Sequence, residues 1–225
     1  MARKCQVISV AQEKGGAGKT TLLCMLASFL AEDGAKVVIV DSDPLAGAAD
    51  YGRQSDASEL NVFYVQELDE TKLPKIIRKL KQEHDVVLLD TAGIAAKTTD
   101  YALHLSDLVL IPVKAARPDM KGLVRTLKTI EAQADLREEP LPSHVIMSDI
   151  DRGTGATESI RNALIEMGAP LLNAQMLHRT GFKEFVSNGG RLRNKAARTV
   201  GREVLADMQI RGLLWFYKKP RRAAA

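Results

Sequence analysis

The sequence predicts an α/β fold, a mostly parallel twisted β-sheet flanked by helices on both faces. Three observations carry this. Apolar strand-like runs at 5–11, 36–41, 85–90, 107–113, 143–150 and 170–177 alternate with helical patterns near 19–33, 72–83, 98–105, 119–137 and 157–167. Three runs, at 37–40, 86–89 and 108–111, are apolar without interruption, as strands covered on both faces should be. The first strand meets the first helix through a glycine-rich heptad, Lys14-Gly15-Gly16-Ala17-Gly18-Lys19-Thr20.

Strand, glycine loop, helix is the order that a phosphate-binding loop needs. Val7, Ile8 and Val10 precede the heptad, and Leu22, Leu23, Met25, Leu26, Phe29 and Leu30 follow it at helical spacing. Gly15, Gly16, Ala17 and Gly18 let backbone N–H groups turn inward around an anion. The helix beyond presents its free N–H groups and positive dipole end. Lys19 is placed to reach the β- and γ-phosphates and the Thr20 hydroxyl to hold Mg²⁺, with Thr21 a further contact in the same turn. The second strand ends in Asp41-Ser42-Asp43-Pro44, carboxylates at the edge where parallel sheets bind ligands. The third ends in Asp90, followed by Thr91-Ala92-Gly93, a Walker B pattern. Pro112 lies at the end of the next strand, and Pro118 opens a helix at its first position. Two more helices are expected in the last fifty residues.

Composition bounds the rest. A chain of 225 residues with 45% apolar content can bury one large core. We expect a single domain over 1–212 and a short aromatic and basic tail over 213–225. Two cysteines, Cys5 and Cys24, make no disulfide framework or CxxC pair and read as buried thiols of a reducing cytoplasm. No run of 18 apolar residues exists to span a membrane, and the N-terminus lacks the apolar core of a secretory signal. The net charge of +4 hides an asymmetry: from His178 onward, twelve basic residues face three acidic ones. A basic C-terminal third points to an anionic polymer or surface.

The usual loop pattern, G-x-x-x-x-G-K-[ST], would place its first glycine at Glu13; an extra lysine, Lys14, opens the loop instead. In this deviant Walker A loop, and in the Asp box and Walker B strand after it, the chain resembles the ParA/MinD family of P-loop ATPases. The likeness covers 5 to about 210 and is densest in the first 120 residues. It is greatest to the small plasmid-partition ParA proteins of the ParF kind and to the ParA-like proteins of T-DNA transfer, whose short length, with no helix-turn-helix before the loop, it shares. The resemblance implies ATP/ADP and Mg²⁺ as cofactors. It implies that Lys14 crosses a dimer interface to the partner's nucleotide. It gives Asp41 and Asp90 places in the Mg²⁺ shell and Asp43 the orientation of the attacking water. Gly93 would bring an N–H near the γ-phosphate, and Pro112 and Pro118 would border the base and the dimer interface. Two departures stand out: Leu45 replaces a usual glutamine after Pro44, and Arg117 a usual serine.

A helix over 191–210 would line up Arg191, Lys195, Arg198 and Arg202 within roughly 60° of arc. Ala197, Val200, Val204 and Met208 would then dock on the core. Such a cationic line, read as unopposed by acids, suits phosphate contact without sequence preference. If Asn194 starts the helix, Arg191 belongs to the loop before it. The tail at 213–222, Leu-Leu-Trp-Phe-Tyr-Lys-Lys-Pro-Arg-Arg, reads first as packing on the body or a dimer partner, then as an auxiliary DNA contact, and last as a membrane anchor.

Together these features predict a cytoplasmic, nucleoid-associated ATPase that dimerises on ATP. It would bind DNA nonspecifically, answer to a small ParB-like adaptor that stimulates slow hydrolysis, and partition a plasmid or chromosome segment. The rivals are an organiser of a protein cargo or conjugation relaxosome and a MinD-like membrane switch.

Overall fold

The computed structural model describes residues 5–54, 60, 62–93 and 96–216. β1 (Gln6–Val10) lies between β4 (Val86–Asp90) and β5 (Leu108–Val113). β2 (Val37–Asp41) sits between β4 and the edge strand β3 (Val62–Gln66). β6 (Ser143–Ile150) and the two-residue β7 (Met176–Leu177) extend the other side. The order is β3-β2-β4-β1-β5-β6-β7, and every pairing among the described residues is parallel.

The uninterrupted apolar runs are the central strands, and all residues of β1, β2, β4 and β5 are buried. Side chains alternate between the faces of a sheet. Ile8, Val10, Val37, Ile39, Val86 and Leu88 join the cluster around the first helix; Val7, Val38, Val40, Val87 and Leu89 pack with Leu73, Ile77 and Ala102 on the other side. Helices α1 (Lys19–Glu32), α2 (Ala49–Gln54), α7 (Thr180–Asn188) and α8 (Lys195–Ile210) contact one another over the first face. Helices α3 (Leu73–Glu83), α4 (Lys97–His104) and α5 (Arg117–Arg137) form a second layer. Helix α6 (Gly155–Glu166) buries Leu164 in the main core. Helix α1 is caged between sheet and α8, so 22–31 are all buried. At that contact Gly201 is required: a Cβ would lie 2.2 Å from Phe29 Cε2. None of the described helices is long and apolar enough to cross a membrane.

Two expectations change. The short helix α2 and strand β3 were not expected; β3 is an edge strand with Phe63 and Gln66 exposed, so it lacks the continuous apolar run of the central strands. The run at 170–177 yields only Met176–Leu177 and a bridge from Leu171 to Val145. Pro170 has no N–H to give, and Ala174 donates its own to Asp207 Oδ2 at 2.9 Å instead of to β6. The first residues of the tail pack on the body, in line with the first reading of that segment: Leu214 and Phe216 are buried, and Gln6 clasps the Leu213 carbonyl and the Trp215 N–H at 2.8 and 3.0 Å. Residues 217–222 lie outside the described residues.

Candidate nucleotide-binding site and basic face

The sheet register builds the site. Val10 and Asp41 both pair with Asp90, so the ends of β1, β2 and β4 stand in one row. The glycine loop springs from β1 at that row. Gly16 and Gly18 take left-handed backbone angles, φ 76° and 97°, and Gly18 is the N-cap of α1. The loop is braced from two sides. Buried Gln12 accepts from the Glu13 N–H and the Thr126 hydroxyl, at 2.8 and 3.1 Å, and donates to the Pro112 carbonyl at 3.3 Å. From β6, the Ser148 hydroxyl donates to the Ala17 carbonyl at 2.5 Å. Neither Gln12 nor Ser148 belongs to the loop motif, so sequence reading missed both.

At the foot of α1 the Thr20 hydroxyl donates to Asp90 Oδ2 at 2.8 Å. Asp90 Oδ1 is buried with no partner among the described residues. Burial first, then the neighbouring Asp41 carboxylate, pushes Asp90 up to about 7. Asp41 is itself raised by burial, although the N–H groups of Asp43 and Ala48 donate to it at 3.0 and 3.1 Å. Two buried carboxylates and a hydroxyl, with an orphaned oxygen among them, form a hard donor set that fits Mg²⁺. Mg²⁺ takes few protein ligands and keeps phosphate and water, so a set this small suffices. Gly47 holds this corner open: a Cβ there would lie 2.8 Å from the Thr20 hydroxyl. Asp43, half-buried, faces the same end of the sheet, and its carboxylate accepts from the Leu45 N–H at 2.9 Å. Leu45 is 89% exposed, so its departure from glutamine places an apolar side chain in the open beside the site. Lys19 Nζ donates to the Gln12 carbonyl at 3.4 Å, across the mouth of the loop.

Lys14 turns away from that corner. Its ammonium lies 2.6 Å from Asp119 Oδ2 on α5; Asp119 is fully buried and its Oδ1 has no partner among the described residues. Six residues on, nearly two turns, Arg125 pairs with Glu13. Helix α5 therefore grips the front of the loop through Asp119, Arg125 and Thr126. Gly122 makes the approach possible, since a Cβ there would be 3.0 Å from Gln12 Oε1. Gly93 also lies against the loop, with a Cβ position 3.4 Å from the Glu13 carbonyl. Pro112 is buried in β5, opposite Ile146, one residue before the strand ends. Pro118 sits exposed in the first turn of α5 beside Asp119. A cavity of about 190 Å³ flanks the loop along Thr21, Lys114, Asp149 and His178.

The basic stripe also differs. Asn194 caps α8, accepting from the Ala197 N–H at 3.1 Å, which leaves Arg191 in the preceding loop. Ala197, Val200, Val204 and Met208 are buried as expected. The stripe is not unopposed. Arg198 makes a two-pronged pair with Glu32, both contacts 2.8 Å, and Arg202 holds Asp33 and Glu32 at 2.8 and 2.9 Å. Both guanidiniums cover the Phe29 ring, at 5.3 and 4.5 Å from its centre. Burial would raise Glu32, but the Arg198 and Arg202 contacts outweigh it and hold its carboxyl below the ordinary value. The acids sit at the end of α1, more than 160 residues earlier, where a local count of charges does not see them. Lys195 and Arg193 remain exposed on a groove shared with Arg198 and Arg202.

Comparisons with known proteins agree with this architecture. A family model described as the CobQ/CobB/MinD/ParA nucleotide binding domain matches residues 8–192. "Protein ParA" of Rhizobium radiobacter is 27% identical over 188 residues, 83% of this chain and 84% of that protein. The "Maintenance of carboxysome distribution protein A" of Halothiobacillus neapolitanus is 24% identical, over 84% of this chain and 87% of its own. A crystal structure of a plasmid partition protein from Borrelia burgdorferi bound to AMPPNP superposes with a TM-score of 0.74 at 18% identity, covering 92% of this chain and all of that one.

Proposed function

Because the chain belongs to the CobQ/CobB/MinD/ParA nucleotide-binding family, we propose that it is an ATPase that dimerises on ATP, binds DNA nonspecifically and partitions a plasmid or chromosome segment. The observation that carries this reading is the division of labour between the two loop lysines. Lys19 and Thr20 stay at the phosphate end of α1, whereas Lys14 reaches outward to α5 and is 42% exposed. A cation in that place is available to a nucleotide held by a second subunit. Thr20, Asp41 and Asp90 would hold Mg²⁺, which when bound neutralises charge between the β- and γ-phosphates. Loop N–H groups and Lys19 cradle the phosphates, Asp43 orients the attacking water, and Gly93 offers a backbone N–H. Hydrolysis would be slow until an adaptor completes the site.

The DNA surface in this reading is the α8 groove, led by Lys195 with Arg191, Arg198 and Arg202. Residues 1–212 would form the ATPase domain. Similarity to Protein ParA of Rhizobium radiobacter and to the plasmid partition protein of Borrelia burgdorferi supports the DNA cargo. A second reading, positioning of a protein cargo, draws support from the carboxysome relative and from the acids that already engage Arg198 and Arg202.

Sedimentation velocity with a slowly hydrolysed ATP analogue tests the core of the proposal. The parent should dimerise, Lys19→Ala should bind no nucleotide, and Lys14→Ala should bind nucleotide and stay monomeric. Normal dimerisation of Lys14→Ala would reject the sandwich.

A further inference from the structure

Asp41 is fully buried at the end of β2, and its two oxygens are unequally engaged. Oδ1 accepts from the Asp43 N–H at 3.0 Å. Oδ2 accepts twice, from the Ala48 N–H at 3.1 Å and from the Tyr64 hydroxyl at 3.4 Å. We infer that Tyr64 is a positioning residue for the Mg²⁺ site. Its hydroxyl, with the Ala48 N–H, occupies Oδ2 and leaves Oδ1 as the oxygen with an acceptor direction to spare. The inference rests on the assignment of Thr20, Asp41 and Asp90 to Mg²⁺. It adds a residue from outside the glycine loop, the Asp box and the Walker B strand.

Register brings the tyrosine there. Tyr64 on the edge strand β3 pairs with Ile39 on β2, two residues before Asp41. Residues two apart on a strand share a face, so Tyr64, Ile39 and Asp41 lie on one side of the sheet. The Tyr64 ring is half-buried and packs against the main core, which fixes where its hydroxyl ends. Helix α2 closes over it. A Cβ on Gly52 would lie 2.4 Å from Tyr64 Cγ and 2.6 Å from its Cβ. Those atoms are the root of the side chain and cannot swing aside, so a glycine at 52 is what admits a tyrosine at 64. The other two donors come from the turn before α2, where Ala46 holds a left-handed φ of 49° and donates its N–H to the Asp43 carbonyl at 2.8 Å. Asp41 is thus held from the loop on one side and from the edge strand on the other.

The chemistry follows from the donor count. An ionised carboxylate only accepts hydrogen bonds, with about two directions per oxygen. Two donors fill Oδ2, and one donor leaves Oδ1 half free. Donors behind a metal-site carboxylate set its orientation, and losing one typically costs about 10–100-fold in metal affinity. A separation of 3.4 Å is long for an O–H···O bond, so Tyr64 belongs at or below the lower end of that range.

The test is calorimetric binding of ADP across a Mg²⁺ titration, with EDTA as the metal-free point. ADP avoids hydrolysis and ATP-driven dimerisation. Tyr64→Phe keeps the ring against Gly52 and loses only the hydroxyl. It should raise the Mg²⁺ concentration for half-maximal effect by roughly three- to tenfold and leave ADP affinity in EDTA within about twofold of the parent. Gly52→Ala keeps the hydroxyl but displaces the ring, and should move the Mg²⁺ midpoint the same way. Tyr51→Phe is the control: it removes a tyrosine hydroxyl that donates to the Gly190 carbonyl at 3.2 Å, and should leave the midpoint where it was. An unchanged midpoint in Tyr64→Phe, or an equal shift in Tyr51→Phe, would overturn the assignment. So would an ADP affinity in Tyr64→Phe that falls as far in EDTA as in Mg²⁺, since that marks a merely structural role. Should Tyr64→Phe not fold, a parent-like midpoint in Gly52→Ala would overturn it equally. A parent that binds ADP without regard to Mg²⁺ would sink the metal assignment beneath this inference, and a folded parent that binds no ADP would sink the phosphate-loop reading itself.

Discussion

Replacing Asp90 by asparagine should flatten the pH dependence of stability of the metal-free protein. Asp90 is buried beside Asp41, and its carboxyl is raised to about 7. A carboxyl raised on folding favours the protonated native state. Its contribution is fully present below the ordinary carboxylate range and is lost as pH climbs through about 7, because the unfolded chain ionises first. The displacement corresponds to about 4 kcal/mol between the two protonation states, as an order of magnitude. The unpartnered Oδ1 adds a cost of its own, and an asparagine amide there is left unpartnered as well. That part does not vary with pH, so comparing pH 5 with pH 8 isolates the ionisation. Denaturant unfolding without Mg²⁺ or nucleotide is the assay. The parent should lose a few kcal/mol between pH 5 and pH 8 that Asp90→Asn keeps, and the variant should lose Mg²⁺-dependent nucleotide affinity. Parallel profiles for the two proteins would refute the argument, since they would mean that Asp90 ionises without strain in the native state.

The sequence exposes whatever is local and leaves out whatever folding brings together. The central strands were legible because Val37-Val38-Ile39-Val40 and its counterparts are buried on both faces, and the loop because strand, glycines and helix are adjacent in the chain. Thr20 and Asp90 were legible as separate motif residues, and the parallel register put them 2.8 Å apart. The partners of Lys14, Arg198 and Arg202 were not legible. Asp119 lies 105 residues from Lys14, and Glu32 lies 166 residues from Arg198. A helical wheel of α8 correctly separates a buried face from a cationic one. It says nothing of what packs alongside, so it could not reveal that α1 supplies both the Phe29 ring beneath the arginines and the acids that pair with them. Pro112 was legible as the end of its strand, which runs through it to Val113, because the apolar run 107–113 includes it.

The remaining predictions concern the lysine, the water and the stripe. Asp119→Asn removes the buried charge that holds Lys14, so dimerisation should need less ATP analogue in sedimentation runs; an unchanged or higher requirement would reject a holding role for Asp119. Asp43→Ala should bind Mg-ATP and dimerise but fail to hydrolyse, which phosphate release would show; hydrolysis at the parent rate would remove Asp43 from the mechanism. For the stripe, Arg198→Ala with Arg202→Ala should cost about 1–2 kcal/mol of unfolding free energy, because these half-exposed pairs are screened by solvent yet also cover Phe29. Loss of DNA binding in that variant is therefore ambiguous. The informative change is Glu32→Gln with Asp33→Asn, which leaves the arginines on Phe29 and removes their counter-charges. If Arg198 and Arg202 contact phosphates, this variant should bind duplex DNA more tightly, with a salt slope steeper by up to about 0.9 for each phosphate gained. Glu203→Gln, which removes an acid from the same groove that pairs with Arg152, controls for the mere loss of negative charge. A gain in affinity equal in both variants, with no change of slope, would show that the two arginines serve the α1–α8 contact alone, and would leave Lys195 and its loop neighbours as the DNA surface.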